Sequence, residues 1–153
     1  MPALSPKDDD LLTSTADLVF TDVEGPAAID LLPRRRQVFA IIYSAQGVID
    51  NGGFQYLFES DWPNNPAYSR FSDAYREIGA TDVADWLDEA ASMFPFRDPH
   101  LHRAARVRYL REFCVEGDSP MGVLSGKAID ASGRVFTCLA EYVRTHESDF
   151  ARG

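Results

Sequence analysis

The chain reads as an all-α globule, one domain of six to eight helices joined by short loops. Apolar residues recur at i, i+3, i+4 and i+7 along most of the 153 residues, the period of a helix face turned toward a core. No segment alternates apolar and polar residues cleanly enough to be a half-buried strand. The breakers Gly25-Pro26, Gly52-Gly53, Gly79, Pro95 and Pro99 fall between periodic runs. Composition agrees, since 45% hydrophobic and 25% charged residues are globular proportions. A chain of this length buries a core without disulfide staples.

The first helix is expected over about residues 8–23, after a flexible lead-in over 1–7. Leu11, Leu12, Thr15, Leu18 and Val19 form its apolar face, and Asp8, Asp9 and Asp10 suit its positive N-terminal dipole. Gly25-Pro26 breaks it, a short turn follows from Ala27 to Leu32, and Pro33 fits the first position of a new helix. The run from 34 to 50 is the most apolar, with Val38, Ile41, Ile42, Ala45, Val48 and Ile49 on one stripe widened by Phe39 and Tyr43. It reads as the central, largely buried helix. Gly52-Gly53 ends it and Phe54 to Glu59 restarts as a short helix. Asp61 to Pro66 is a loop by composition.

Helix 66–78 carries Tyr68, Phe71, Tyr75 and Ile78, and Gly79 closes its C-terminus. Thr81 caps the next helix, whose face is Val83, Trp86, Leu87, Ala90, Met93 and Phe94. Pro95 and Pro99 bracket a loop. Helix 100–115 turns Leu101, Ala105, Leu110, Phe113 and Cys114 inward and its arginines outward. Residues 117–126 read as loop or a short turn, and the last helix covers about 128–147.

Net charge is −9, from 24 acidic and 15 basic residues. An acidic total argues against direct nucleic-acid or anionic-membrane binding, because both need a positive field. No apolar run reaches the roughly 18 residues of a membrane span. Residues 1–10 lack the basic and apolar regions of a secretory signal, so the expected address is cytoplasmic. Cys114 and Cys138 are 24 positions apart, which fits neither a redox pair nor a zinc site, and both read as buried thiols.

Candidate chemistry is sparse. The sequence lacks a GxSxG, Walker A, GxGxxG or HExxH motif, so no catalytic residue and no cofactor is assigned. His100 and His102 are two apart and diverge on a helix, which disfavours a metal site. The segment Asp50-Asn51-Gly52-Gly53-Phe54-Gln55-Tyr56-Leu57-Phe58 is a tight turn between helices. It reads mainly as a cap and close crossing, with Asp50 or Asn51 capping the restart. A small anion held by the amides at that restart is the alternative. Among the aromatics around it, Tyr56 and Trp62 would anchor an interface if they are exposed.

Asp73, Glu77, Asp82, Asp85, Asp88 and Glu89 fall within 17 residues. They read either as a solubilising surface or as a decoy for DNA phosphates that occupies the basic groove of a DNA-binding protein. The decoy requires one continuous face without arginine neighbours.

Asn51, Gly52, Gly53, Phe54, Gln55, Tyr56 and Phe58, then Ala74, Ile78, Gly79 and Ala80, then Leu87, Ala90 and Phe94 resemble the bacterial DNA-mimic protein family over about residues 36–95. The resemblance implies an all-α, often dimeric fold with no known enzyme activity. DNA mimicry belongs to the member that gave the family its name. The resulting expectation is a non-enzymatic protein-interaction module, in its sharpest form a double-stranded-DNA mimic that blocks a DNA-binding protein. The alternatives are an immunity protein against a basic toxin and a small-ligand site at the Gly52-Gly53 turn.

Overall fold

The computed structural model describes residues 4–21 and 26–151, without the side chains of 26–28. The helices are α1 (Pro6–Thr21), α2 (Arg34–Glu59), α3 (Tyr68–Glu77), α4 (Thr81–Ser92), α5 (Arg103–Phe113), α6 (Pro120–Asp130) and α7 (Ser132–Thr145). Short 3-10 turns cover Pro26–Leu31, Pro99–Leu101 and Glu147–Phe150. No described residue is in a strand. The helices and their number match the expected fold class. Pro6 and Lys7, expected in a flexible lead-in, belong to α1; residues 1–3 and 22–25, with the Gly25 of the expected break, lie outside the described residues.

The most apolar sequence run is the axis of the fold. α2 packs against α6, α3, α5, α7 and α1. Phe39, Ile42, Ala45, Ile49, Phe54, Leu57 and Phe58 are all fully buried along it. Burial of each large apolar side chain contributes about 1.5–3 kcal/mol, which is what holds this helix at the centre. Its second half is locked by rings: Phe58 lies 4.7 Å from Tyr68 and 5.2 Å from Phe94, centroid to centroid. Both are edge-on, the favoured arrangement of ring quadrupoles.

α3 and α4 form a hairpin through Gly79. Its φ of +90° suits a residue without Cβ. The Ala80 amide donates to Tyr75 O at 2.8 Å and the Gly79 amide to Arg76 O at 3.0 Å, the paired bonds of a Schellman ending. Thr81 does not cap α4. Ala80 occupies the cap position, and the Asp82 carboxylate accepts the Val83 amide at 2.9 Å instead.

Three expectations for the C-terminal half are corrected. Residues 120–130 form α6 where a loop was expected. Its start is the Ser119 hydroxyl accepting the Gly122 amide at 3.1 Å, with Pro120 at the first helical position. Ala131 then separates α6 from α7, so the expected helix 128–147 is two. On α5 the inside and the outside are partly exchanged. Leu101, in the turn before it, and Phe113 are 56% and 58% exposed, whereas Arg106 is 3% exposed. Arg106 Nε donates to Phe58 O at 2.8 Å and Nη1 to Pro99 O at 2.7 Å, while Arg103 Nε reaches Glu59 O at 3.2 Å. The last carbonyls of α2 have no partners within their own helix, and the two guanidiniums supply them at the negative end of its dipole.

Candidate functional site

The double-glycine segment kinks α2 without ending it. Gly52 (φ −165°, ψ 16°) and Gly53 (φ 72°, ψ −167°) leave helical geometry while the helix continues on both sides. A Cβ on Gly53 would lie 2.6 Å from the Ser125 Cβ. That space is closed because α6 crosses here and delivers the Ser125 hydroxyl to the helix restart. Ser125 Oγ accepts the Phe54 amide at 2.9 Å and donates to Gln55 Oε1 at 2.5 Å. Gln55 Nε2 goes on to Cys114 O at 3.2 Å. The cap expected from Asp50 or Asn51 therefore comes from another helix, and Asn51 Nδ2 donates to Gly47 O at 3.0 Å.

A second network lies one turn earlier. Gln46 is fully buried. Its Oε1 accepts the Tyr75 hydroxyl at 2.9 Å, and its Nε2 donates to Asp50 Oδ1 at 2.9 Å and to Ala128 O at 3.3 Å. Asp50 Oδ2 accepts the Ser132 hydroxyl at 2.6 Å. Burial, reinforced by the nearby Asp50 charge, pushes the Tyr75 hydroxyl far above its ordinary value, so it stays a neutral donor. No described buried side-chain nitrogen or oxygen lacks a partner. The buried polar side chains around the turn are thus satisfied within the protein, and the Phe54 amide that an anion would use is taken. A shallow groove of about 240 Å³ beside the turn is bounded by Gly52, Gln55, Arg111 and Val115.

Of the neighbouring aromatics, Phe54, Phe58 and Tyr68 are core. Burial lifts the Tyr68 hydroxyl to about 12. Trp62 is half-buried with its ring 5.0 Å from Phe71 and its Nε1 on Leu57 O at 3.3 Å. Tyr56 is 50% exposed. Cys114 is buried and Cys138 half-buried, both are free thiols, and burial pushes both pKa values up. Among the described residues no three His, Cys, Asp or Glu side chains are placed to share a metal ion.

The six acidic residues lie on the exposed sides of α3 and α4, but most are answered by arginine. Arg76 gathers three of them, reaching Asp88 at 2.5 Å, Asp85 at 3.2 Å and Asp73 at 3.5 Å. Glu77 meets Arg34 at 2.5 Å and also accepts the Tyr142 hydroxyl. Burial alone would raise the pKa of Glu77, but these two hydrogen bonds outweigh it and its carboxyl titrates below the ordinary value. Asp82 takes Arg134 at 2.6 Å, and Glu89 has no cation partner. The six are brought together, though not as a face free of arginine. Sequence spacing shows Arg76, but Arg34 and Arg134 arrive from 43 and 52 positions away. Further unanswered carboxylates are spread over the surface, among them Asp9, Asp10 and Asp17 on α1, Asp98, Glu112, Asp118, and Glu147 near the other end of the chain.

An all-helical fold whose polar networks are closed, with carboxylates displayed on its surface, defines an acidic helical protein. Residues 30–146 match the family model described as DMP19-like protein, well beyond the 36–95 stretch that carries the sequence resemblance. The chain belongs to this family, that of DNA mimic protein 19. No curated protein and no solved structure matches it. No described helix is long and apolar enough to cross a membrane.

Proposed function

We propose that the protein acts by binding another protein through its acidic surface, and that this partner is a DNA-binding protein occupied as it would be by duplex DNA. Family membership over residues 30–146 carries the reading. The net charge of −9 supports it, since a decoy for DNA must attract a basic groove. Arg76, like Arg34 and Arg134, departs from the arginine-free face that the sequence reading required of a decoy, but the carboxylates around it outnumber it. It holds Asp73, Asp85 and Asp88 in one cluster that is still net negative. Carboxylates fixed in place lose less freedom on binding than the same groups on loose stems.

The test is affinity capture from the native cell with the tagged chain, followed by salt steps and then by competition with duplex DNA. The expected partner is basic, binds DNA, leaves at high salt and is displaced by duplex. A partner that stays bound through high salt and ignores duplex DNA would overturn the decoy reading.

A further inference from the structure

A groove of about 340 Å³ runs between α1 and the end of the chain. Leu11, Ser14, Thr15 and Leu18 of α1 form one wall, and the other is formed by Ala151 and the outer edges of the buried Val143 and Phe150. On α1, Asp10 and Asp17 stand on the solvent side of Leu11 and Leu18, seven positions and so about 10 Å apart. Glu147 lines the opposite wall. Asp10, Asp17 and Glu147 are exposed and have no cation partner. The nearby guanidiniums are engaged, and one of them, Arg36, donates to the Asp149 and Ala151 carbonyls at the end of the groove. Arg144 holds Asp8 and Glu141, and Arg35 holds Asp149. Lys7 is the unpaired cation of α1, so three free carboxylates face one free ammonium.

A trough lined by more apolar than polar surface, between unanswered carboxylates, is the complement of one kind of segment. We propose that this groove receives a basic amphipathic helix of the partner protein, with apolar residues at i, i+3, i+4 and i+7 seated on Leu11, Leu18, Val143 and Phe150. Lys or Arg residues two turns apart then meet Asp10 and Asp17. Such a helix buries its stripe in the manner of groove-bound peptides, and the rim charges set orientation and approach. The inference rests on the reading of the chain as an acidic protein-binding module. It concerns a different surface from α3 and α4. Every groove residue named except Val143 lies outside the family-matching residues 30–146, so the groove belongs to this chain's own choice of partner.

The test uses the full-length chain and a fluorescent Leu/Lys peptide patterned as an amphipathic helix. The Asp10→Asn, Asp17→Asn, Glu147→Gln triple variant should weaken binding about tenfold, from the summed loss of exposed ion pairs. Leu18→Lys should do the same. An equal charge change far from the groove, Asp98→Asn, Glu112→Gln, Asp118→Asn, should change binding less than about twofold, because exposed charges beyond a Debye length are screened. Equal weakening by the two triples would overturn the proposal, because net charge alone would then hold the peptide. So would equal binding of a control peptide with Ser in place of every Leu. Partner capture lost while peptide binding survives counts against the decoy reading alone; the reverse counts against the groove alone.

Discussion

The Phe54 amide is capped by a hydroxyl 71 positions away: Ser125 Oγ accepts it at 2.9 Å. Ser125→Ala removes that acceptor and the donor to Gln55 Oε1 together. Loss of a helix cap and a buried hydrogen bond costs about 1–2 kcal/mol. A urea titration should show a lower midpoint with unchanged slope. Gly53→Ala is expected to cost more, about 2–4 kcal/mol, since it combines a φ of +72° with a Cβ driven into Ser125.

Gln46 and Tyr75 form a buried pair whose partners are all internal. Gln46→Leu leaves the Tyr75 hydroxyl stranded, at a cost of about 1–3 kcal/mol. Tyr75→Phe in the same chain removes the stranded group. The double variant should therefore be more stable than the sum of the two single changes implies, by about 1 kcal/mol or more. Strict additivity would show that the bond contributes nothing.

From inside the core Arg106 donates to the Phe58 carbonyl at the end of α2 and to the Pro99 carbonyl of the turn before α5. Arg106→Met keeps much of the length and loses both donors, so the chain should lose about 3 kcal/mol, the scale of hydrogen bonds from a charged group. Hydrogen exchange should quicken first at the amides of 54–59, because the second half of α2 loses its anchor while the first half keeps its own.

Acid should act first through two carboxylates. For Glu77, burial raises the pKa, but hydrogen bonds from Tyr142 and Arg34 bring it below its ordinary 4.5. For Asp30, hydrogen bonds from Asn64 and Arg70 bring it below its ordinary 3.8. A carboxyl that is the stronger acid when folded contributes its full stabilisation above the unfolded value and loses it as pH falls through the folded one. The urea midpoint should therefore drop below about pH 4.5, near the ordinary Glu value. Glu77→Gln should flatten that drop, and Asp30→Asn should flatten the part at lower pH. Acid limbs parallel to the wild type would refute the assignment.

Arg76 is exposed and shared by three carboxylates. Arg76→Gln should leave the urea midpoint nearly unchanged and make the α3–α4 surface more negative. If attraction governs capture of the basic partner, the variant should need more salt to release it. Release at lower salt would mean that the ordered arrangement, rather than the charge, is what the partner reads.

The sequence carried the long periodic elements and lost what depends on distance along the chain. α2 was legible because its stripe of Val38, Ile42, Ala45 and Ile49 has no competing pattern, and the Gly79 ending was legible because a φ near +90° wants glycine. α6 was missed because Gly122, Ser125 and Gly126 mimic a loop. Ser119-Pro120 was the start signal, and Ser125 is there to reach another helix. Arg106 was placed outside because charge predicts exposure, and nothing local reveals the free carbonyls of α2 waiting for it. The acidic cluster was found, but Arg34 and Arg134 come from other helices, so its neutralisation could not be read from spacing.

The Ser125 cap also sets an order of events during synthesis. At about 5–20 residues per second, a ribosome needs several seconds to add the 71 residues between Phe54 and Ser125. Until then the half-helix after Gly53 has the Arg106 side chain for its far end but lacks its cap, and the Ser132 hydroxyl that meets Asp50 on the other side of the kink comes later still. The nascent chain therefore emerges with its central helix half made. A product truncated before residue 125 should display the apolar faces of Phe54, Leu57 and Phe58 to chaperones and proteases, so the end of the chain decides whether its central helix survives.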